Sequence, residues 1–168
     1  MEVINDCLKQ FRDVPDVTKW PEVSFLQAHE PGLHQVFISD LNEAQMALAA
    51  GNWKSATVVA ASVMEALLHW WLGKQASLKV EKNLQAMIES AVNHNLFMPS
   101  TSTISNFDKT EAEGKKGAAI CAANYRNLIH ADKSKRLATT CSRASAWQVF
   151  GATLMVADAI GRKLTASP

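Results

Sequence analysis

The sequence predicts an all-α fold, a helical bundle of five to six helices, and three observations predict it. Apolar residues recur at helical spacing through most of the chain. One stretch, Trp53 to about Lys74, is apolar nearly all round, as a helix enclosed by neighbours on several sides would be. Nothing reads as a run of strands. At 168 residues, 48% of them hydrophobic and 20% charged, the chain is long enough to bury a core of its own. No internal repeat or linker divides it, so residues 1–168 read as one domain, with an N-terminal helix and loop over 1–32 and the bundle over 33–164.

Taken in order, residues 2–13 suggest a short first helix with Val3, Ile4, Leu8 and Phe11 on one side. Pro15, Pro21, Pro31 and Gly32 then break regularity, because proline fixes φ and lacks the N–H that a helix interior needs. Trp20, Phe25 and Leu26 are expected to pin this loop to the body. The next helix runs from about Leu33 to Ala50, with Val36, Phe37, Leu41, Ala44 and Leu48 inward and Asp40 and Glu43 outward. Gly51 ends it and Asn52 caps the Trp53 helix, so the two are expected to form an antiparallel hairpin.

A further helix is expected from about Val80 to His94, with Leu84, Met87, Ile88, Ala91 and Val92 inward. The polar run MPSTSTISNFDKTEAEGKK follows. Part of it is expected to be helical from Ser100 or Ser102, with Ile104 and Phe107 packing, while Gly114 and Gly117 argue against one continuous helix. Ala118 to His130 is again apolar and helical. Ser142 to Leu164 forms the last long helix, with Trp147, Phe150, Leu154, Met155, Ala157 and Ile160 on its core side.

The net charge is +1, but it is unevenly spread. Residues 1–50 carry three Lys/Arg against eight Asp/Glu, and residues 109–143 carry eight against three. Such asymmetry marks either a partner-binding face or solvated helix faces. Cys7, Cys121 and Cys141 are widely spaced and odd in number, which points to reduced thiols in a cytoplasmic protein. The N-terminus lacks the basic start and apolar core of a signal peptide, and no uncharged apolar run is long enough to suggest a membrane span. Glycine-rich phosphate loops, Gly-x-Ser-x-Gly, His-Glu-x-x-His and cysteine pairs at zinc spacing are all absent from the sequence. Those absences argue against nucleotide hydrolases, serine hydrolases and metalloenzymes, and no cofactor or metal is expected.

Chemistry concentrates in NYRNLIH, residues 124–130. On a helix Arg126 and His130 lie four residues apart on one face, with Asn127 beside them. A fixed cation, an amide and a titratable imidazole suit phosphate binding and proton transfer. Tyr125, Leu128 and Ile129 are expected to point into the bundle, and Lys133, Lys135 and Arg136 carry the basic character onward.

A hairpin of two long helices followed by a helix bearing Arg-Asn…His resembles the HEPN domains of bacteria and archaea. AQMALAAGNWKSATVVAASVMEALLHWWL is similar to their first helical pair, with Glu65 in MEALL, and NYRNLIHADKSKR is similar to their signature helix. The resemblance covers roughly residues 36–162. It implies a homodimer in which the signature helices of two protomers meet. It also implies a metal-independent endoribonuclease of a toxin–antitoxin or phage-defence system, acting on RNA and held by a cognate antitoxin or partner protein. In that reading His130 does acid–base work on the 2′-OH, Arg126 steadies the phosphate charge, Asn127 orients, and Lys133, Lys135 and Arg136 contact nucleic acid. The chain departs from the pattern in two places. Three residues separate Arg126 from His130, fewer than active members usually have, and Ala131 follows His130 where related sequences often have proline.

The alternative is a non-catalytic helical binding or dimerisation module. Arg126 would then pair with Glu65, the sole acid in the apolar helix, and Asn127 and His130 would cap carbonyls near a helix end. His69, one turn after Glu65, would join that network beside Trp70 and Trp71. One tryptophan of the pair must point away from the protomer's centre, and its exposure would favour a dimer contact.

Overall fold

The computed structural model describes residues 20–75, 83–99, 105–127 and 141–165. Over these residues the chain is an all-α bundle: a 3-10 turn at Pro21–Val23, then α1 (Leu26–His29), α2 (Pro31–Ala49), α3 (Trp53–Lys74), α4 (Leu84–Asn93), α5 (Asn106–Asn127) and α6 (Arg143–Thr165). There is no strand among the described residues. The expected helix over 2–13 and Cys7 lie outside them.

α3 is the central helix, touching α2, α4, α5 and α6. Its alanines explain how four neighbours come close: Ala56, Ala60 and Ala61 are buried together with Val63, Met64, Leu67, Leu68, Trp71 and Leu72. By length and composition α3 is apolar enough to cross a membrane, which burial by four helices explains equally well. The α2–α3 hairpin forms as expected. Gly51 adopts φ 74°, where a side chain would strain the backbone, and the Asn52 side chain accepts from Ser55 N–H at 3.4 Å. α6 lies against α3 closely enough for the buried Thr153 hydroxyl to donate to the Ala60 carbonyl at 2.9 Å.

The segment before α2 is pinned as expected. Trp20 and Leu26 are buried, the Trp20 indole N–H donates to Asn42 Oδ1 at 3.0 Å, and its ring meets Phe150 edge-on at 5.5 Å. Phe25 stacks beside Trp70 at 5.8 Å. Trp70 is therefore half-covered by the chain's own turn, with Lys74 over its ring, while Trp71 is buried. Neither tryptophan is the exposed contact considered from sequence.

Three expectations are corrected. Gly114 and Gly117 do not interrupt a helix: α5 runs unbroken from Asn106 to Asn127. Both glycines face solvent, with open space where a side chain would sit, so each costs helix propensity, about 1 kcal/mol. Burial of Ala119, Ala122 and Ala123 offsets that cost. The start also differs, because Ser105 and Asp108 cap each other. Ser105 Oγ accepts from Asp108 N–H at 3.1 Å, and Asp108 Oδ2 accepts from Ser105 N–H at 2.8 Å. Ser100, Ser102 and Ile104, and the side chain of Phe107, lie outside the described residues. The second correction is Val36, which is 51% exposed because the buried arc of α2 runs through Phe37, Leu41, Ala44 and Leu48. The third is Trp147, which is 47% exposed, since α6 turns Ala146, Val149, Phe150 and Thr153 inward instead.

Candidate functional site

Arg126 and Asn127 are the last two described residues of α5, the penultimate helix of the described fold. Their side chains lie outside the described residues, as do Leu128, Ile129, His130, Lys133, Lys135 and Arg136. The expected ion pair between Arg126 and Glu65 falls outside with them. Of the supporting residues, Tyr125 is half-buried and packs on the core, in the direction expected. Glu65 is half-buried on α3, less enclosed than the sequence suggested, and His69 is exposed.

The register of the bundle shows what shares a height with the Arg126–Asn127 end. Asp108, Glu111 and Lys115 line one cleft with Ala159, Arg162 and Lys163. α5 therefore runs antiparallel to α6, since the parallel arrangement would carry its buried alanines past the end of α6. Eleven residues beyond Lys115 is Arg126, and eleven before Ala159 is Gln148, next to Trp147. Along the α5 axis that displacement is about 16 Å. α6 runs parallel to α3, because Thr153 meets Ala60 at one height while Phe25 reaches both Gly161 and Trp70 at another. Six residues before Ala60 is Lys54, and six before Thr153 is Trp147. Lys54, Trp147 and the Arg126–Asn127 turn of backbone thus lie at one end of the bundle.

That end is basic. The helix-end stretches 49–58, 118–127 and 141–150 carry Lys54, Arg126 and Arg143 and no Asp or Glu. Among the described residues no ion pair involves Lys54 or Arg143. On α6, Arg143, Ala144, Trp147, Gln148 and Gly151 form one exposed arc. Sequence reasoning missed Trp147 by assigning it to the core. The rest of this arc is charged, polar or small, so Trp147 stands at the edge of the apolar stripe, where periodicity alone does not decide burial.

The opposite end holds the cleft, with a volume of about 340 Å³. Its floor is apolar, from Leu96, Phe97 and Ala159. The charges around it are largely engaged with each other. Glu111 pairs with Lys115, and Arg162 Nη2 meets Asp158 Oδ2 at 2.6 Å. Bonds from the Ser105 hydroxyl and backbone hold the Asp108 carboxyl below its ordinary range. Burial pushes the Lys163 ammonium below its ordinary value. Among the described residues no three His, Cys, Asp or Glu are grouped to hold a metal. Cys121 and Cys141 are free thiols, both half-buried.

Comparison with known protein families, with characterised proteins and with solved structures finds no match to this chain.

Proposed function

We propose that this chain is a HEPN-like domain directed at RNA, a metal-independent endoribonuclease of the toxin–antitoxin or phage-defence kind that acts as a homodimer in the cytoplasm. The observation that carries the reading is the position of Arg126 and Asn127 in the last described turn of α5, at a bundle end whose helical stretches hold basic residues and no acid. In this reading His130 removes the proton from an RNA 2′-OH, and that oxygen attacks the adjacent phosphorus. The 5′-oxygen of the next nucleotide leaves with a proton, giving a 2′,3′-cyclic phosphate and a free 5′-OH. Arg126 stabilises the extra negative charge of the phosphorane-like transition state, and Asn127 orients the group. No cofactor enters these steps.

Purified protein incubated with mixed RNA in EDTA tests the reading. Wild type should cleave and leave cyclic-phosphate ends, whereas His130→Ala should lose about 100-fold or more of the rate. Its melting temperature should move by less than about 2 °C. Undiminished cleavage by His130→Ala would overturn the catalytic assignment.

A second reading, a non-catalytic binding or dimerisation module, is favoured by the three-residue spacing between Arg126 and His130 and by Ala131. It expects no cleavage by wild type and a clear loss of melting temperature in His130→Ala.

A further inference from the structure

No residue named so far touches a base, and the basic end of the bundle offers one. Trp147 is the largest exposed hydrophobic side chain among the described residues, at 47%. It does not serve the core in the way its neighbours do. Ala146, Val149 and Phe150 are buried, while Trp147 stands outside them and meets Phe150 edge-to-face at 6.2 Å. That contact braces the ring and leaves much of it open to solvent.

Its surroundings have a definite chemistry. Arg143 lies four residues earlier on α6, so the two side chains rise from one face, one turn apart. Both are exposed. Lys54 shares their height on α3 but leaves the α3–α6 pair on the other side, because it and Trp147 each stand six residues before the facing residues Ala60 and Thr153 of two parallel helices. An exposed indole with a guanidinium one turn away matches the two parts of a single-stranded nucleic acid. A base has a π face that stacks on an aromatic ring whatever its identity, and each phosphate carries a negative charge for a nearby cation. A protein partner recognised through the same ring would be expected to present an acid to Arg143, and it would not need an unpaired base.

We propose that Trp147 is a stacking platform for an unpaired RNA base, with Arg143 engaging a flanking phosphate. This deepens the RNA reading and rests on it. The stacked base holds the strand at the basic end of the bundle, at the height of the last described turn of α5. The residue is a binding and positioning group and takes no part in bond breaking.

The test is binding of a fluorescein-labelled single-stranded RNA of mixed sequence, followed by anisotropy at low salt in EDTA. Wild type, Trp147→Ala and Trp147→Phe are compared, with a duplex RNA of equal length as competitor. Trp147→Ala should weaken binding about 5- to 100-fold, and Trp147→Phe should stay within about three-fold of wild type. The duplex should compete poorly. Arg143→Gln should weaken binding and make it less sensitive to salt. Size-exclusion elution and melting temperature should be unchanged in Trp147→Ala. If wild type binds the single strand and Trp147→Ala binds equally well, the platform is overturned while the RNA reading stands. Equal competition by the duplex, or a changed oligomeric state in Trp147→Ala, also overturns it, the latter by making Trp147 a protein contact. If wild type binds no RNA, both fall together.

Discussion

The two ends of this bundle carry similar numbers of cations and use them differently. At the cleft end, Lys115 and Arg162 are each engaged by a carboxylate one helical turn away on their own helix, and Asp108 is committed to capping α5. At the other end Arg143 and Lys54 face solvent with no acid in the neighbouring helix ends, and Trp147 stands one turn from Arg143. Charge content alone would not separate the two. Pairing does, because a cation engaged by an (i, i+4) carboxylate offers little field to a ligand, whereas cations without a nearby acid keep theirs. The cleft end is therefore a better account of stability and the Trp147 end a better account of recognition.

The contrast is sharpest under charge reversal. Arg143→Glu should weaken single-stranded RNA binding on the order of ten-fold at low salt, as expected when a phosphate contact becomes a repulsion. Lys115→Glu, at the cleft end, should change it by less than about two-fold. Equal losses from both would mean that RNA responds to net charge and not to a built end.

The cleft end should in turn answer to stability changes that leave binding alone. Gly114 is exposed and helical, with open space where a side chain would sit, so Gly114→Ala should raise unfolding free energy by about 0.5–1 kcal/mol in urea titrations. RNA binding should be unaffected. A loss of stability would show that the α5 backbone at this position is strained in a way the helix geometry does not reveal.

The smallest effect belongs to the flank between the ends. Burial, and then the Glu43 charge, raise the Asp40 carboxyl above its ordinary pKa. A raised carboxylate pKa means that the folded state holds its proton more tightly than the unfolded chain. The ionised group thus costs stability above its folded pKa, and the cost vanishes as pH falls below the unfolded value of 3.8. Asp40→Asn should therefore stabilise by a few tenths of a kcal/mol at neutral pH, with the solvent screening of a partly exposed site keeping it small. The gain should disappear near pH 3, and melting curves at the two pH values check it.

Much of this fold was legible from residues because local signals agreed with the tertiary answer. Gly51 and Asn52 mark the hairpin, since one supplies the positive φ and the other the cap. The apolar girth of Trp53–Lys74 marks a central helix, and it is one. α5 was harder. Its Ser/Thr-rich approach offers several capping candidates at once, and the choice of Ser105 depends on Asp108 standing three residues on. Its glycines read as breakers because propensity is a local quantity, while the alanine stripe that holds the helix acts through α6. Trp147 and Val36 were misassigned for a related reason. An apolar residue at the edge of a helical stripe is buried or exposed according to how far the neighbouring helix reaches round, which periodicity does not encode.

By itself, then, the sequence determined the order of the described helices, the central place of α3 and the place of Arg126 and Asn127 late in α5. These follow from spacing, capping and composition, which act over a few residues. Only the tertiary structure decided that Val36 and Trp147 would stay exposed and that Lys54, Trp147 and the last described turn of α5 would share one end of the bundle. Those outcomes depend on the antiparallel and parallel registers of α5 and α3 against α6, and register is set by packing between helices far apart in the chain.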